Sequence, residues 1–175
     1  MKFNKLFLVV LLVILSGCMS VAKNASDMRS MGTKGTLIYS KESLVVDHSL
    51  DSIEKILKSK SKDCLNRMLE LKVMITHSNG GVSTHTEHYF FKTDVVRVKG
   101  KLEMMVRVKA TDAIQLSKGP EEGFPVILVD IIPKDKTHSE VNIYYTKRYV
   151  HLFASVKDWV NGGDSGCPEL GEDLT

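Results

Sequence analysis

Met68-Leu69-Glu70-Leu71-Lys72-Val73-Met74-Ile75-Thr76, followed by His77-Ser78-Asn79-Gly80-Gly81, is the stretch whose reading decides the fold. Leu69, Leu71, Val73 and Ile75 alternate with Glu70, Lys72 and Thr76, a period of two that puts the apolar side chains on one face of a half-buried strand. The Ser/Asn/Gly run after it supplies the residues of a tight antiparallel turn.

Working downstream, residues 84–99 and 101–110 read as a hairpin. Val96 and Val98 alternate before the turn at Lys99-Gly100-Lys101, and Leu102, Met104, Val106 and Val108 alternate after it. Residues 111–124, with Gly119-Pro120 and Gly123, read as a loop. Residues 126–132 and 140–145 read as two more strands joined by the polar turn Pro133-Lys134-Asp135-Lys136-Thr137. Tyr149, Leu152, Phe153, Val156, Trp159 and Val160 then recur at helical spacing, and Asn161-Gly162-Gly163 ends that helix.

Working upstream, residues 36–46 are β-rich and Ser49 is placed to cap a helix with Asp51 in its first turn. Leu50, Ile53, Ile56, Leu57, Cys64 and Leu65 share one side of it, and Lys55, Lys58, Lys60 and Lys62 the other. The order β-α-β-β-β-β-β-α predicts an α+β domain: a curved antiparallel sheet of about five or six strands with two helices on one face.

The N-terminus carries a different signal. Lys2 and Lys5 precede an apolar run from Leu6 to Leu15, and Ser16-Gly17-Cys18 follows, which is the layout of a secretory signal. A helix that crosses a bilayer needs about 20 apolar residues, and this run is too short. Leu15-Ser16-Gly17-Cys18 resembles the lipobox of bacterial lipoproteins. The resemblance implies cleavage before Cys18 and acylation of its thiol, with residues 1–17 as signal peptide. The small and polar residues after it, without a sustained period, read as a tether, so that 18–35 is a lipidated tether, 36–167 a single domain and 168–175 an acidic tail. With Met19 rather than Asp after the cysteine, it also implies the outer membrane, facing the periplasm, in a Gram-negative cell. The alternative is an ordinary signal peptide that contains a cysteine. Two acyl chains hold a protein at a bilayer far better than one, so the anchor would be stable.

The 175-residue chain less its signal suits one domain with a sizeable core. Two of its 24 Lys and Arg residues lie in the signal, so the remainder is nearly balanced by 21 Asp and Glu, which gives no reason to expect a nucleic-acid partner. Of three cysteines, committing Cys18 to lipid leaves Cys64 and Cys167, an even number in a compartment where disulfides persist. A Cys64–Cys167 disulfide is the expectation. Two free thiols are the alternative, as is a metal site, for which further ligands at short spacing would be wanted.

Candidate chemistry is sparse. Gly163-Asp164-Ser165-Gly166 matches the residues around the nucleophile of chymotrypsin-like proteases, but that family needs far more chain and a glycine where Cys167 stands, so a helix-terminating turn is the reading. His85 and His88 would face opposite sides of a strand, and with His77 give at most a loose surface cluster; no metal and no cofactor is expected. Glu121 and Glu122 read as a polar loop, and Met68, Met74, Met104 and Met105 as strand residues of the core rather than a soft-metal site. Tyr144, Lys147 and Arg148, with Tyr145 and Tyr149, form one aromatic-basic cluster, a possible partner contact.

The element order is similar to that of the helix-grip domains of outer-membrane lipoproteins, the BamC-like family, and the similarity rests on no motif. The expectation is a non-enzymatic envelope lipoprotein, an accessory or assembly factor that binds another envelope protein. The alternative is a binder of a lipid or small apolar ligand between sheet and helices.

Overall fold

The computed structural model describes residues 21–111 and 120–174. Six strands, β1 (Tyr39–Val46), β2 (Met68–Thr76), β3 (Val82–Val98), β4 (Lys101–Ala110), β5 (Phe124–Pro133) and β6 (Ser139–Thr146), form one antiparallel sheet in the order β1-β6-β5-β4-β3-β2. The α+β class and the antiparallel sheet are as the alternating pattern requires. The β3–β4 hairpin closes through Lys99 and Gly100, both at positive φ (51° and 81°), a backbone whose twist matches that of the flanking strands. A register shift between Val106 and Arg107 leaves Val126 of β5 without a partner on β4, a bulge that bends β5 and adds to the curl of the sheet.

Among the described residues three helices accompany the sheet: α1 (Ala25–Lys34), α2 (Leu50–Lys60) and α3 (Val150–Val160). α2 starts on Ser49, whose hydroxyl accepts the Ser52 amide, and runs on into a π-helical turn at Ser61–Leu65. α2 and α3 cover one face. Ile53, Leu57 and Leu65 from the first and Leu152, Val156 and Trp159 from the second meet Phe91, Leu102, Met104, Ile127 and Ile143 of the strands in one fully buried core. Cys64, on the π turn, is bonded to Cys167 beyond α3, with their Cα atoms 5.0 Å apart.

The structure corrects two boundaries. Residues 18–35 read as a tether, yet Ala25–Lys34 are helical and docked on the opposite face of the sheet, where Met28 packs with Ala22, Tyr39, Met105, Leu128 and Tyr144. Asn24 caps this helix by accepting the Asp27 amide, and Gly35 ends it at φ 64°. Gly32 lets it approach closely: a Cβ there would lie 2.9 Å from Cδ1 of Tyr144. The second correction concerns residues 168–175, read as a tail. Leu170 and Leu174 are buried in the main core, and Asp173 is 2% exposed. The domain therefore spans at least Ala22 to Leu174. Cys18, the signal peptide and residues 112–119 of the expected loop lie outside the described residues.

Candidate functional site

After α3 the chain turns at Gly162 and Gly163 and runs back along the helix. A Cβ at Gly163 would fall 2.2 Å from the carboxylate of Asp158, so a side chain there would displace that carboxylate, which accepts the Ser165 amide at 2.9 Å. Ser165 thus belongs to a structural turn. Its carbonyl accepts the Trp159 indole N–H at 3.0 Å, and Lys60 pairs with Asp164 at 2.7 Å.

The returning segment is fixed at both ends. Cys167 ties it to α2, and Asp173 accepts the amides of His151 and Leu152 at the start of α3, at 3.1 and 3.0 Å. Arg148 donates to the carbonyls of Asp173 and Leu174. Between the segment and β2 lies an open cleft of 580 Å³, lined by Arg67, Leu71, Cys167, Pro168, Glu169, Leu170, Gly171 and Glu172. Its volume falls in the range of small-ligand sites, but it is shallow, and Arg67, Glu169 and Glu172 put charge of both signs on its lining.

Arg67 gives this cleft its chemistry. One terminal nitrogen of the guanidinium donates to the Pro168 carbonyl at 3.0 Å, while its Nε–H is buried with no hydrogen-bond partner among the described residues. A buried donor left unpaired costs roughly 1–3 kcal/mol, and because this one has no exposed area of its own an acceptor in the cleft meets it only when the Arg67 side chain shifts. A second cleft of 450 Å³, between α2 and the turn after α3, is floored by the Lys60–Asp164 pair and lacks such an unmet group among the atoms that line it.

The expected aromatic-basic cluster is dispersed. Tyr144 is buried beneath α1, with the Lys41 ammonium 5.5 Å from its ring centre. Lys147 donates to the Thr36 carbonyl at 3.0 Å, and Arg148 is taken up by the C-terminal segment. Tyr145 points to the other face and stacks on Phe153 at 3.9 Å. Of the three nominated residues Tyr144 is buried, whereas Lys147 and Arg148 stay exposed, each bonded to a backbone carbonyl. His85 and His88 do face opposite sides of the β2–β3 ribbon, His88 beside Glu70 at 3.4 Å. Among the described residues no group of three or more His, Cys, Asp or Glu is placed to hold a metal, and no helix is long and apolar enough to cross a membrane. Met104 and Met105 are buried as core, but Met68 and Met74 are exposed.

No family model matches this chain, and no curated protein does. Among solved structures, it is similar to a START superfamily protein from Mycobacterium smegmatis, at 7% identity and a TM-score of 0.39 over 71% of this chain and 95% of that one. A conserved protein from Geobacillus kaustophilus follows at 8% identity and 0.36, over 71% and 93%. Norcoclaurine synthase from Thalictrum flavum, solved with dopamine and hydroxybenzaldehyde, gives 12% identity and 0.27, over 75% and 89%.

Proposed function

We propose that this chain is a lipid-anchored, non-enzymatic binding domain that holds a small amphipathic molecule in the cleft between β2 and the C-terminal segment. The unpaired, buried Nε–H of Arg67 beside the apolar walls of Leu71, Pro168 and Leu170 carries the reading. The Arg67 guanidinium suits a ligand with an acceptor head, such as a carboxylate or phosphate, and an apolar tail, with Glu169 and Glu172 of the same lining reducing the attraction for an anion. The lining offers no nucleophile with a base beside it, so it favours retention over turnover.

The anchor is proposed from the lipobox. Ala22 is already part of the fold, its amide bonded to the Tyr39 hydroxyl at 2.8 Å, so three residues of chain, reaching at most roughly 14 Å, would separate it from the acylated Cys18. The domain then sits against the headgroups instead of standing off on a tether.

Titration of the purified chain with palmitate and with palmityl alcohol, followed by the fluorescence of Trp159, tests the ligand reading. Saturable palmitate binding, weakened about tenfold in Arg67→Leu, supports it; equal binding of the variant and the parent contradicts it. The accessory-factor reading is favoured by a different feature, the β2–β3 ribbon beyond Tyr89, where Met74 and Val82 are 75% and 63% exposed.

A further inference from the structure

β2 is an edge strand, and the part of β3 before Tyr89 pairs with β2 alone among the described residues. The orientation of the β2 backbone follows from two bonds. The Phe91 amide donates to the Arg67 carbonyl, and the His77 amide donates to the Gly81 carbonyl. In an antiparallel pair, hydrogen-bonded positions alternate with non-bonded ones. The odd-numbered residues of β2 therefore bond to β3, and the N–H and C=O groups of Met68, Glu70, Lys72, Met74 and Thr76 point outward, where no described strand meets them. Such an edge invites another strand.

We infer that the strand it fits is β2 of a second copy of this chain, antiparallel about a two-fold axis at Leu71. Only registers that match outward groups with outward groups make bonds, so the axis must pass through a residue position and not between two. An axis at Glu70 or Lys72 sets like charges face to face. An axis at Leu71 sets Glu70 opposite the Lys72 of the other copy, twice by symmetry, Met68 opposite Met74, and Leu69 opposite Val73. Charges cross-pair and apolar side chains meet apolar ones on both faces, which is the self-complementarity an isologous interface needs. The pairing covers Met68, Val73 and Met74, exposed in the single chain, and joins two sheets into one. It does not depend on a ligand in the cleft.

Cysteine cross-linking of the full chain tests this. The two Leu71 residues fall at a non-hydrogen-bonded site, where Cα atoms are about 4.5 Å apart, within disulfide reach. Leu71→Cys should give an oxidised species of twice the mass that the parent chain does not give. Adding Glu70→Lys should lower its yield about tenfold, and Glu70→Lys with Lys72→Glu should restore it. Since Leu71 is half-buried, Met68→Cys and Met74→Cys provide an exposed pair: each chain alone should stay single, and a mixture should cross-link. A Leu71→Cys chain that stays single, cross-linking unaffected by Glu70→Lys, a Met pair that links equally well unmixed, or capture of a different protein would each overturn the proposal.

Discussion

The carboxylate of Asp173 accepts the amide of Leu152 at 3.0 Å, so a residue beside the C-terminus caps the helix that begins after β6. Tyr149, at the N-cap position itself, has no side chain that can do this. Asp173→Ala should cost about 1–2 kcal/mol in urea unfolding, and Asp173→Asn, which keeps an acceptor oxygen, less. A parent-like midpoint for the alanine variant would show that the segment does not hold α3.

On the opposite face Arg29 of α1 meets Asp130 of β5 at 2.7 Å, with Lys101 at 3.1 Å and Glu103 alongside. Burial pushes the Asp130 carboxyl up, but hydrogen bonds from Arg29 and Lys101 outweigh it and the net shift is downward. A carboxyl whose native value lies below its unfolded one stabilises fully above the unfolded value, about 3.9, and loses that contribution as pH falls through the native value. Arg29→Met should therefore cost about 2–4 kcal/mol at neutral pH, and the difference from the parent should shrink below about pH 4. Denaturation at several pH values would show it; a constant difference into acid would exclude the pair as the cause.

Gly32→Val drives a side chain into Tyr144 and towards the Ser40 carbonyl, which lies 3.1 Å from the Cβ position. A loss of about 1–3 kcal/mol is expected, with faster hydrogen exchange in α1 and unchanged protection in β4 and β5. Uniform loss of protection would mean that α1 is integral to the sheet and not a docked element.

The Cys64–Cys167 bond spans 103 residues. Replacing both by serine should remove on the order of 3–5 kcal/mol, chiefly by freeing the unfolded chain, and should raise exchange in residues 167–174 first. Stability equal to the parent's under oxidising conditions would argue against the bond in solution.

The strands were legible because Leu102, Met104, Val106 and Val108 keep one face through a whole element, and α3 because its apolar spacing is unbroken. α1 was missed for a physical reason. It buries only Met28 and Gly32, one turn apart, and a glycine gives no hydropathy signal, although Asn24 and Gly35 mark both its ends. The C-terminal segment was missed because two leucines among acids read as solvated until Cys167 and Asp173 fix them. Arg67 shows the general difficulty: nothing in its neighbours along the chain says that Pro168, 101 residues later, takes one donor and leaves another unmet.

The most direct test of the central claim is native mass spectrometry of the chain extracted from the cells that make it. The account predicts a non-covalent adduct that bears a carboxylate or phosphate, leaves on denaturation, and is absent from Arg67→Leu. A mass that fits the acylated chain alone, with no adduct in the parent and no palmitate uptake on titration, would contradict it.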